Sequence, residues 1–193
     1  AVGFASDGTT FDNTGGAIDT SGGAGGITIN HSGAVSVAAG LTSGAGAVNI
    51  DSTGATAAVS APVATTTGAV TIDSASGTTL SDAGDITTTG AGGSITLGAT
   101  LAGALSTGAE LTTNGQVIRF ARAVTLTDDV TLDSAGGLID FDDAATVNDD
   151  AAGGAGEWDL TIAAGAGDVT FGDAAGAGVG RIGGTLAIAD LTI

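Results

Sequence analysis

Short alternations of apolar and polar residues recur along the whole chain. The clearest is a three-residue in–out–in pattern that returns nine times at spacings of 21 to 26 residues. Because successive residues of a strand point to opposite faces, each occurrence predicts a short strand with one buried side. The second apolar residue of the pattern forms the series Phe4, Ile29, Ile50, Ile72, Leu97, Phe120, Phe141, Ile162 and Ile188.

Two further apolar sets follow each of these anchors, and turn-forming residues separate them. In the second repeat they are Val35 with Val37 and then Leu41. Strands this short cannot bury a core alone, but coils of three strands that stack on one another can. The pattern therefore predicts an all-β fold: a right-handed parallel β-helix (β-solenoid) of about eight coils of 21–26 residues, with three short strands per coil.

The predicted solenoid has one interior ladder made of the nine anchors, in which Phe120 stacks on Phe141. An antiparallel β-sandwich is the alternative fold, but its strands are normally longer and their spacing is less even. We expect residues 1–193 to be a single solenoid segment that belongs to a longer chain or a filament subunit. We also expect unpaired strand edges at both ends, where neighbouring strands would add.

Composition excludes several other classes of protein. The 193 residues include 36 Gly, no Cys and no Lys, yet the mean hydropathy is +0.42, which argues against a disordered linker. Collagen is excluded because no strict Gly-X-Y period is present. A net charge of −18 argues against nucleic-acid and anionic-membrane partners. No apolar run approaches the ~20 residues of a membrane-spanning helix.

Several repeats resemble those of a known class of surface protein. They are GAVNIDSTG (46–54), GAVTIDSASG (68–77), AGDITTTGAGGSITLGAT (83–100) and AGDVTFGDAAGAG (166–178). These segments resemble the repeat regions of filamentous haemagglutinins and autotransporter adhesins. The resemblance implies a β-helical shaft on the outside of a bacterial cell, and it assigns no functional residue.

Two pairs of opposite charges are spaced as successive coils would place them. Arg119 and Asp140 are 21 residues apart, and so are Arg122 and Asp143. We therefore predict stacked ion pairs on an outward face, against the alternative of chance neighbours in solvent. Exposed pairs contribute only ~0–1 kcal/mol each, so their role would be to set register or relieve acidic repulsion.

The acidic clusters are the candidate metal site. Asp128 and Asp129 precede Asp149 and Asp150 by 21 residues, so stacked coils could bring four carboxylates together. Ca²⁺ accepts six to eight oxygen ligands in flexible geometry and would relieve the repulsion. Solvated turns that keep the carboxylates apart are the favoured alternative, and no cofactor is required by the fold.

Two aromatic residues occur once each in the chain. His31 follows a predicted strand and is expected in a turn, and without other His or Cys it predicts neither a zinc site nor a catalytic triad. Trp158 is expected to pack locally, with a subunit contact as the alternative.

The sequence therefore favours a structural or adhesive extracellular shaft without enzymatic activity. Its expected partners are further copies or adjacent segments of the same chain, and also surface glycans or cells. One alternative is a polysaccharide-active enzyme that uses Asp140, Asp142 and Asp143 beside Arg119. An ice-binding solenoid is the other, although its outward threonines (Thr28, Thr71, Thr96 and Thr161) are interrupted by Asn49, Arg119, Asp140 and Ala187.

Overall fold

The computed structural model describes residues 2–142, 145–150, 156–172, 181–182 (backbone only) and 190–193. These residues form 24 short strands and no helix. The strands assemble into three parallel sheets of eight strands each, and every third strand along the chain enters the same sheet. The predicted all-β solenoid with three strands per coil is confirmed.

Each sheet takes one strand from each coil. Sheet A contains β1 (Phe4–Gly8), β4 (Ile27–His31), β7 (Val48–Ser52), β10 (Val70–Ser74), β13 (Ile95–Leu97), β16 (Ile118–Phe120), β19 (Ile139–Phe141) and β22 (Val169–Phe171). Sheet B contains β2 (Phe11–Asp12), β5 (Val35–Val37), β8 (Thr56–Val59), β11 (Gly77–Leu80), β14 (Leu105–Thr107), β17 (Val124–Leu126), β20 (Thr146–Asp149) and β23 (Arg181–Ile182). Sheet C contains β3 (Ile18–Asp19), β6 (Leu41–Ser43), β9 (Val63–Thr65), β12 (Ile86–Thr88), β15 (Leu111–Thr112), β18 (Val130–Asp133), β21 (Leu160–Ala163) and β24 (Leu191–Thr192).

Coil 1 therefore runs from β1 to β3, coil 2 from β4 to β6, and so on along the chain. Coils 1 to 6 are described without a gap, and eight strands per sheet is close to the predicted number of coils. None of the described residues forms a helix that is long and apolar enough to cross a bilayer.

The interior consists of apolar columns that run across the strands of each sheet. In sheet A the predicted anchors Ile29, Ile50, Ile72, Leu97, Phe120 and Phe141 form one continuous column of fully buried side chains. Burying each such side chain contributes about 1.5–3 kcal/mol, which is how strands of three to five residues reach a stable fold.

Phenylalanine side chains stack at the far end of this column. The rings of Phe120 and Phe141 are 4.9 Å apart with their planes 6° from parallel, as the sequence predicts. Phe171 continues the stack at 4.8 Å from Phe141. Stacked aromatic pairs contribute about 0.5–1.5 kcal/mol beyond the area that they bury, so the three rings tie coils 6, 7 and 8 together.

Both ends of the predicted ladder differ from the structure. Phe4 pairs with Ile27, so Ser6 lies opposite Ile29 at the first position of the column. Ile162 belongs to sheet C, where it pairs with Leu132, and Phe171 is the residue that follows Phe141 in sheet A. Ile188 lies outside the described residues. The prediction was wrong at Ile162 because strands of sheets A and C share the same in–out–in pattern.

Candidate functional site

The corner between sheets C and A carries a repeated hydroxyl-to-carbonyl hydrogen bond. In each of coils 1 to 6 a Ser or Thr just after the sheet C strand, or at its end, donates to a backbone carbonyl at the start of the next coil. The pairs are Thr20–Gly25, Ser43–Gly46, Thr65–Gly68, Thr88–Gly93, Thr113–Gln116 and Ser134–Gly137. All but Thr20 are buried. This feature was not predicted from the sequence, although the spacing [ST]-x-x-G is present at several of these corners.

Glycine supplies the carbonyl at this corner in five of coils 1 to 6, where successive backbones approach closely, and Gln116 supplies it in coil 5. A Cβ atom at Gly46 would lie 2.3 Å from the carbonyl carbon of Gly25. At Gly68 it would lie 2.0 Å from the carbonyl oxygen of Gly46. We call the hydroxyl and the glycine together the hydroxyl–glycine corner. It closes each turn without leaving a buried carbonyl unpaired.

Short Asn and Asp side chains bind the backbone of the following coil at the wider turns. Asn13 Oδ1 accepts from the amides of Ala38 (2.8 Å) and Ala39 (3.1 Å). Asp85 Oδ1 accepts from the amide of Glu110 (2.9 Å), and Asp129 Oδ1 from that of Asp159 (2.8 Å). Because these carboxylates join one coil to the next, part of the acidic composition has a structural role.

Asp73 is the most deeply buried of these side chains, with 1% of its surface exposed. Its carboxylate accepts from the backbone amides of Thr100 (2.6 Å) and Leu101 (3.1 Å) and from the Thr100 hydroxyl (2.5 Å). From the other side, Arg122 Nε donates to the carbonyl of Leu101 (2.9 Å). The turn 98–104 is therefore held by both of its neighbouring coils.

A second carboxylate lies directly beside Asp73. Asp51 occupies the same register position one coil earlier and is half-buried. Burial raises the pKa of Asp51, and the adjacent charge of Asp73 raises it further. The two carboxylates therefore repel each other across neighbouring coils.

Arg119 lies at the centre of a charged cluster on the outer face of sheet A. It is in register with Asp140, as predicted, at 3.6 Å. Its closer partner is Asp142, which accepts from Nε (2.9 Å) and Nη2 (2.6 Å). Hydrogen bonding to Asp142 raises the pKa of Arg119, and Asp140 accepts from the Thr170 hydroxyl at 2.5 Å. A long side chain reaches the diagonal neighbour as easily as the opposite one, so spacing alone did not identify Asp142.

The predicted partner of Arg122 cannot be placed, because Asp143 lies outside the described residues. The guanidinium group of Arg122 donates to two backbone carbonyls, those of Leu101 and Ala121, each at 2.9 Å. Arg122 therefore holds a turn of coil 5 against coil 6.

The structure does not bring the four predicted carboxylates into matching positions. Asp149 pairs with Leu126, two residues before Asp128, and its side chain is 1% exposed. Asp149 accepts from the amide of Glu157 at 2.7 Å, and Asp150 accepts from Trp158 Nε1 at 3.3 Å. Within the described ranges, no group of three or more Asp, Glu or His side chains is placed to hold a metal ion. The prediction was wrong because sheet B advances by 23 residues at this coil, so Asp128 and Asp149, which are 21 residues apart, are not at equivalent positions.

His31 is not a turn residue: it is the last residue of β4, and its ring is 4% exposed. Its Nε2 lies 3.0 Å from the Ser6 hydroxyl, and its ring packs against Phe11 with centroids 5.6 Å apart. Its Nδ1 has no hydrogen-bond partner among the described residues. Trp158 is half-buried and packs against the core, in keeping with local packing.

Comparisons with known protein families, with curated proteins and with solved structures find no match to this chain.

Proposed function

We propose that this chain is a structural segment of an extracellular filament or surface shaft. The observation that supports this most directly is the register of the three sheets, which is maintained from β1 to β19 in sheet A and to corresponding strands in sheets B and C. Each coil contacts only its two neighbours, so such a structure can extend in one direction without limit.

The engagement of polar side chains supports the same proposal. Of the four groups that could imitate a catalytic cluster, Asp143 lies outside the described residues, and Arg119 forms ion pairs with Asp140 and Asp142 of the next coil. Asp73 holds a turn, and the buried hydroxyls close corners. These groups serve coil-to-coil cohesion, which is the property that a shaft needs.

The shaft is proposed to continue end to end through strand edges. Phe4, Phe11 and Ile18 in coil 1 are packed against coil 2 and remain half-exposed. A further coil stacked on this edge would pair the free backbone groups and cover the three side chains. The occupant would be either an adjacent segment of the same chain or another copy.

The repeats resemble those of filamentous haemagglutinins and autotransporter adhesins, and on this basis we place the shaft on a bacterial surface. Adhesion to glycans or to neighbouring cells is part of the proposal. The solenoid would be the support that carries the adhesive surface.

Small-angle X-ray scattering and electron microscopy of residues 1–193 test the proposal. Eight coils ~4.8 Å apart give a rod about 40 Å long, and we expect particles that lengthen with concentration at constant width. A particle that never lengthens would overturn end-to-end growth. Turnover of a polysaccharide would instead support the enzyme, and thermal hysteresis would support the ice-binding alternative.

A further inference from the structure

The first position of the inner column in sheet A is polar. Ser6 lies there, opposite Ile29, whereas coils 2 to 7 each place a large apolar side chain in this column. His31, the last residue of β4, reaches Ser6, with Nε2 3.0 Å from the hydroxyl oxygen. The His31 ring also packs against Phe11 of β2, with centroids 5.6 Å apart. His31 therefore joins coil 2 to two strands of coil 1.

The other nitrogen of this ring is enclosed and unpaired. His31 is 4% exposed, and its Nδ1 is buried without a hydrogen-bond partner among the described residues. Gly8 lies opposite His31 in β1, and a Cβ atom there would be 3.4 Å from Nδ1. The backbone of coil 1 therefore lies close to this nitrogen. Buried polar atoms in proteins are normally paired, so an unpaired one calls for an explanation.

A second proton on this ring would find no acceptor. Neutral imidazole has one N–H group and one acceptor nitrogen, whereas the imidazolium ion donates from both nitrogens. The Nε2–H group of His31 would donate to Ser6, but the Nδ1–H group would be buried and unpaired. A buried charge without its hydrogen bonds destabilises the folded state. Histidine in water takes up this proton as pH falls through about 6.5, so the destabilisation begins in mild acid.

The carboxylates on the strands that surround His31 lie at outward positions. They are Asp7 of β1, Asp12 of β2 and Asp51 of β7, and β4 itself has none. Asp7 and Asp12 are exposed and Asp51 is half-buried, and each alternates with residues that face the interior. None of the three accepts from Nδ1. Their longer-range attraction for a cation is screened in about 1 M NaCl, where the Debye length is ~3 Å.

We propose that His31 is an acid-sensitive contact between coils 1 and 2. Proton uptake by its ring loosens coil 1, which carries the strand edge where a further coil is proposed to add. The loosening depends only on the contacts of His31, whereas its effect on end-to-end growth rests on the proposed function. Shafts therefore extend at neutral pH and lose end-to-end contacts in mild acid.

Hydrogen exchange measures the loosening directly. The amides of Phe4, Phe11 and Ser32 donate across the boundary between coils 1 and 2. In about 1 M NaCl, a shift from about pH 7.5 to about pH 5.5 should lower their protection about tenfold, after correction for the intrinsic exchange rate. The unfolded chain accepts a proton that the folded chain has no acceptor for, so stability falls about tenfold per pH unit below about 6.5.

His31→Gln is the matched variant, because its amide stays neutral over this pH range and His31 is the only histidine in the chain. Protection of the same three amides should stay constant with pH in the variant. His31→Phe replaces it if His31→Gln does not fold. The amide of Leu105, which donates to the carbonyl of Ala123, reports on a distant pair of coils and should not respond to acid in either protein. Equal losses in parent and variant, or constant protection in the parent, would overturn the proposal.

Asp51 cannot produce the expected loss, because its effect has the opposite sign. Burial and the charge of Asp73 raise the pKa of Asp51, so the folded chain binds this proton more tightly than the unfolded chain does. Acid therefore relieves repulsion at Asp51 and stabilises the stack there. A loss of protection in acid is thus assigned to His31.

Small-angle scattering at the same two pH values separates the acid-sensitive contact from the shaft itself. Parent particles that lengthen with concentration only at the higher pH, beside His31→Gln particles that lengthen at both, would support both proposals. Equal lengthening of parent and variant at both pH values would overturn acid control of docking and leave the shaft standing. Particles that never lengthen, with coil 1 still loosened by acid, would overturn end-to-end growth alone.

Discussion

Single residues at the hydroxyl–glycine corner determine how closely consecutive coils approach. The hydroxyl satisfies a carbonyl that the turn would otherwise leave unpaired, and the glycine allows two backbones to meet. Neither residue belongs to the apolar pattern from which the strands were predicted. Their effects are therefore separable from those of the core and can be measured with single substitutions.

The substitution Gly46→Ala should lower the free energy of unfolding by at least about 2 kcal/mol, because its Cβ would meet the backbone of Gly25. Gly15→Ala is the matched control, since a Cβ there meets nothing within 4 Å. Urea denaturation of both variants measures the difference. Equal stability of the two variants would contradict the close approach of backbones at this corner.

Asp51→Asn should stabilise the protein at neutral pH. The pKa of Asp51 is raised in the folded state, so the folded chain binds this proton more tightly than the unfolded chain does. The stability that Asp51 contributes therefore falls as pH rises from the ordinary value of 3.8 through its raised pKa. Thermal unfolding at pH 7 should show a higher Tm for the variant, and the gain should vanish below about pH 3.8.

Asp7→Asn is the control for that measurement, because Asp7 aligns with Asn30 at the exposed end of the same column. Its effect at pH 7 should be smaller. Asn30 already occupies the position between Asp7 and Asp51, which indicates that an amide is accepted in this column. A gain in Tm that persists unchanged into acid would show that charge burial at Asp51 is not the cause.

At the scale of elements, turns such as 98–104 depend on carboxylates from the preceding coil. Asp73→Ala removes the acceptor of the Thr100 and Leu101 amides. Leaving such groups unpaired costs about 1–3 kcal/mol each where they are buried, so we expect a loss of about 2 kcal/mol or more. Hydrogen exchange at these two amides should accelerate.

Asp82→Ala is a suitable control because Asp82 is exposed and lies at a corner of the same coil. We expect no change in exchange at Thr100 and Leu101 in this variant. If both variants exchange alike, the turn 98–104 is held by Arg122 rather than by Asp73.

The alternation of apolar and polar residues was sufficient to predict the strands and their parallel stacking. It could not assign every strand to its sheet, because Leu160–Ala163 and Val169–Phe171 have the same alternation of apolar and polar residues. The ring stack on Phe141 is what distinguishes them in three dimensions. Likewise, the spacing of the anchors placed Phe4 in the same column as Ile29, whereas Phe4 pairs with Ile27 and Ser6 lies opposite Ile29.

Contacts between diagonal neighbours on adjacent strands also could not be predicted from the sequence. Spacing identifies the residue directly opposite, as for Arg119 and Asp140, whereas the shorter distance is to Asp142. At the acidic clusters a coil longer by two residues displaced Asp149 from Asp128 and turned it into the interior. Coil length varies at the corners, and the predicted grouping of these four carboxylates, which assumed a constant length, was wrong for that reason.

At the scale of the whole molecule, net charge opposes the compact stack. A charge of −18 is distributed over coils only ~4.8 Å apart, with three arginines as the sole strong cations. We expect Tm to rise with NaCl concentration as repulsion is screened, most steeply below about 0.15 M, where the Debye length exceeds ~8 Å. Differential scanning calorimetry at several salt concentrations measures this.

A Tm that falls with salt would mean that attractive pairs outweigh repulsion across the stack. Arg119→Gln provides the comparison, since it removes the ion pairs with Asp140 and Asp142. The variant should lose about 1 kcal/mol or less in low salt, and the loss should shrink as salt is added.

The hydroxyl–glycine corner also bears on how such a chain can change its length over generations. Gly46 and Gly68 stand at equivalent corners 22 residues apart. Unequal recombination that joins the DNA for one corner to the DNA for the other deletes or duplicates one whole coil. Every remaining coil keeps its hydroxyl and its own corner residue. The number of coils can therefore change by one at a time. No intermediate length requires a different fold.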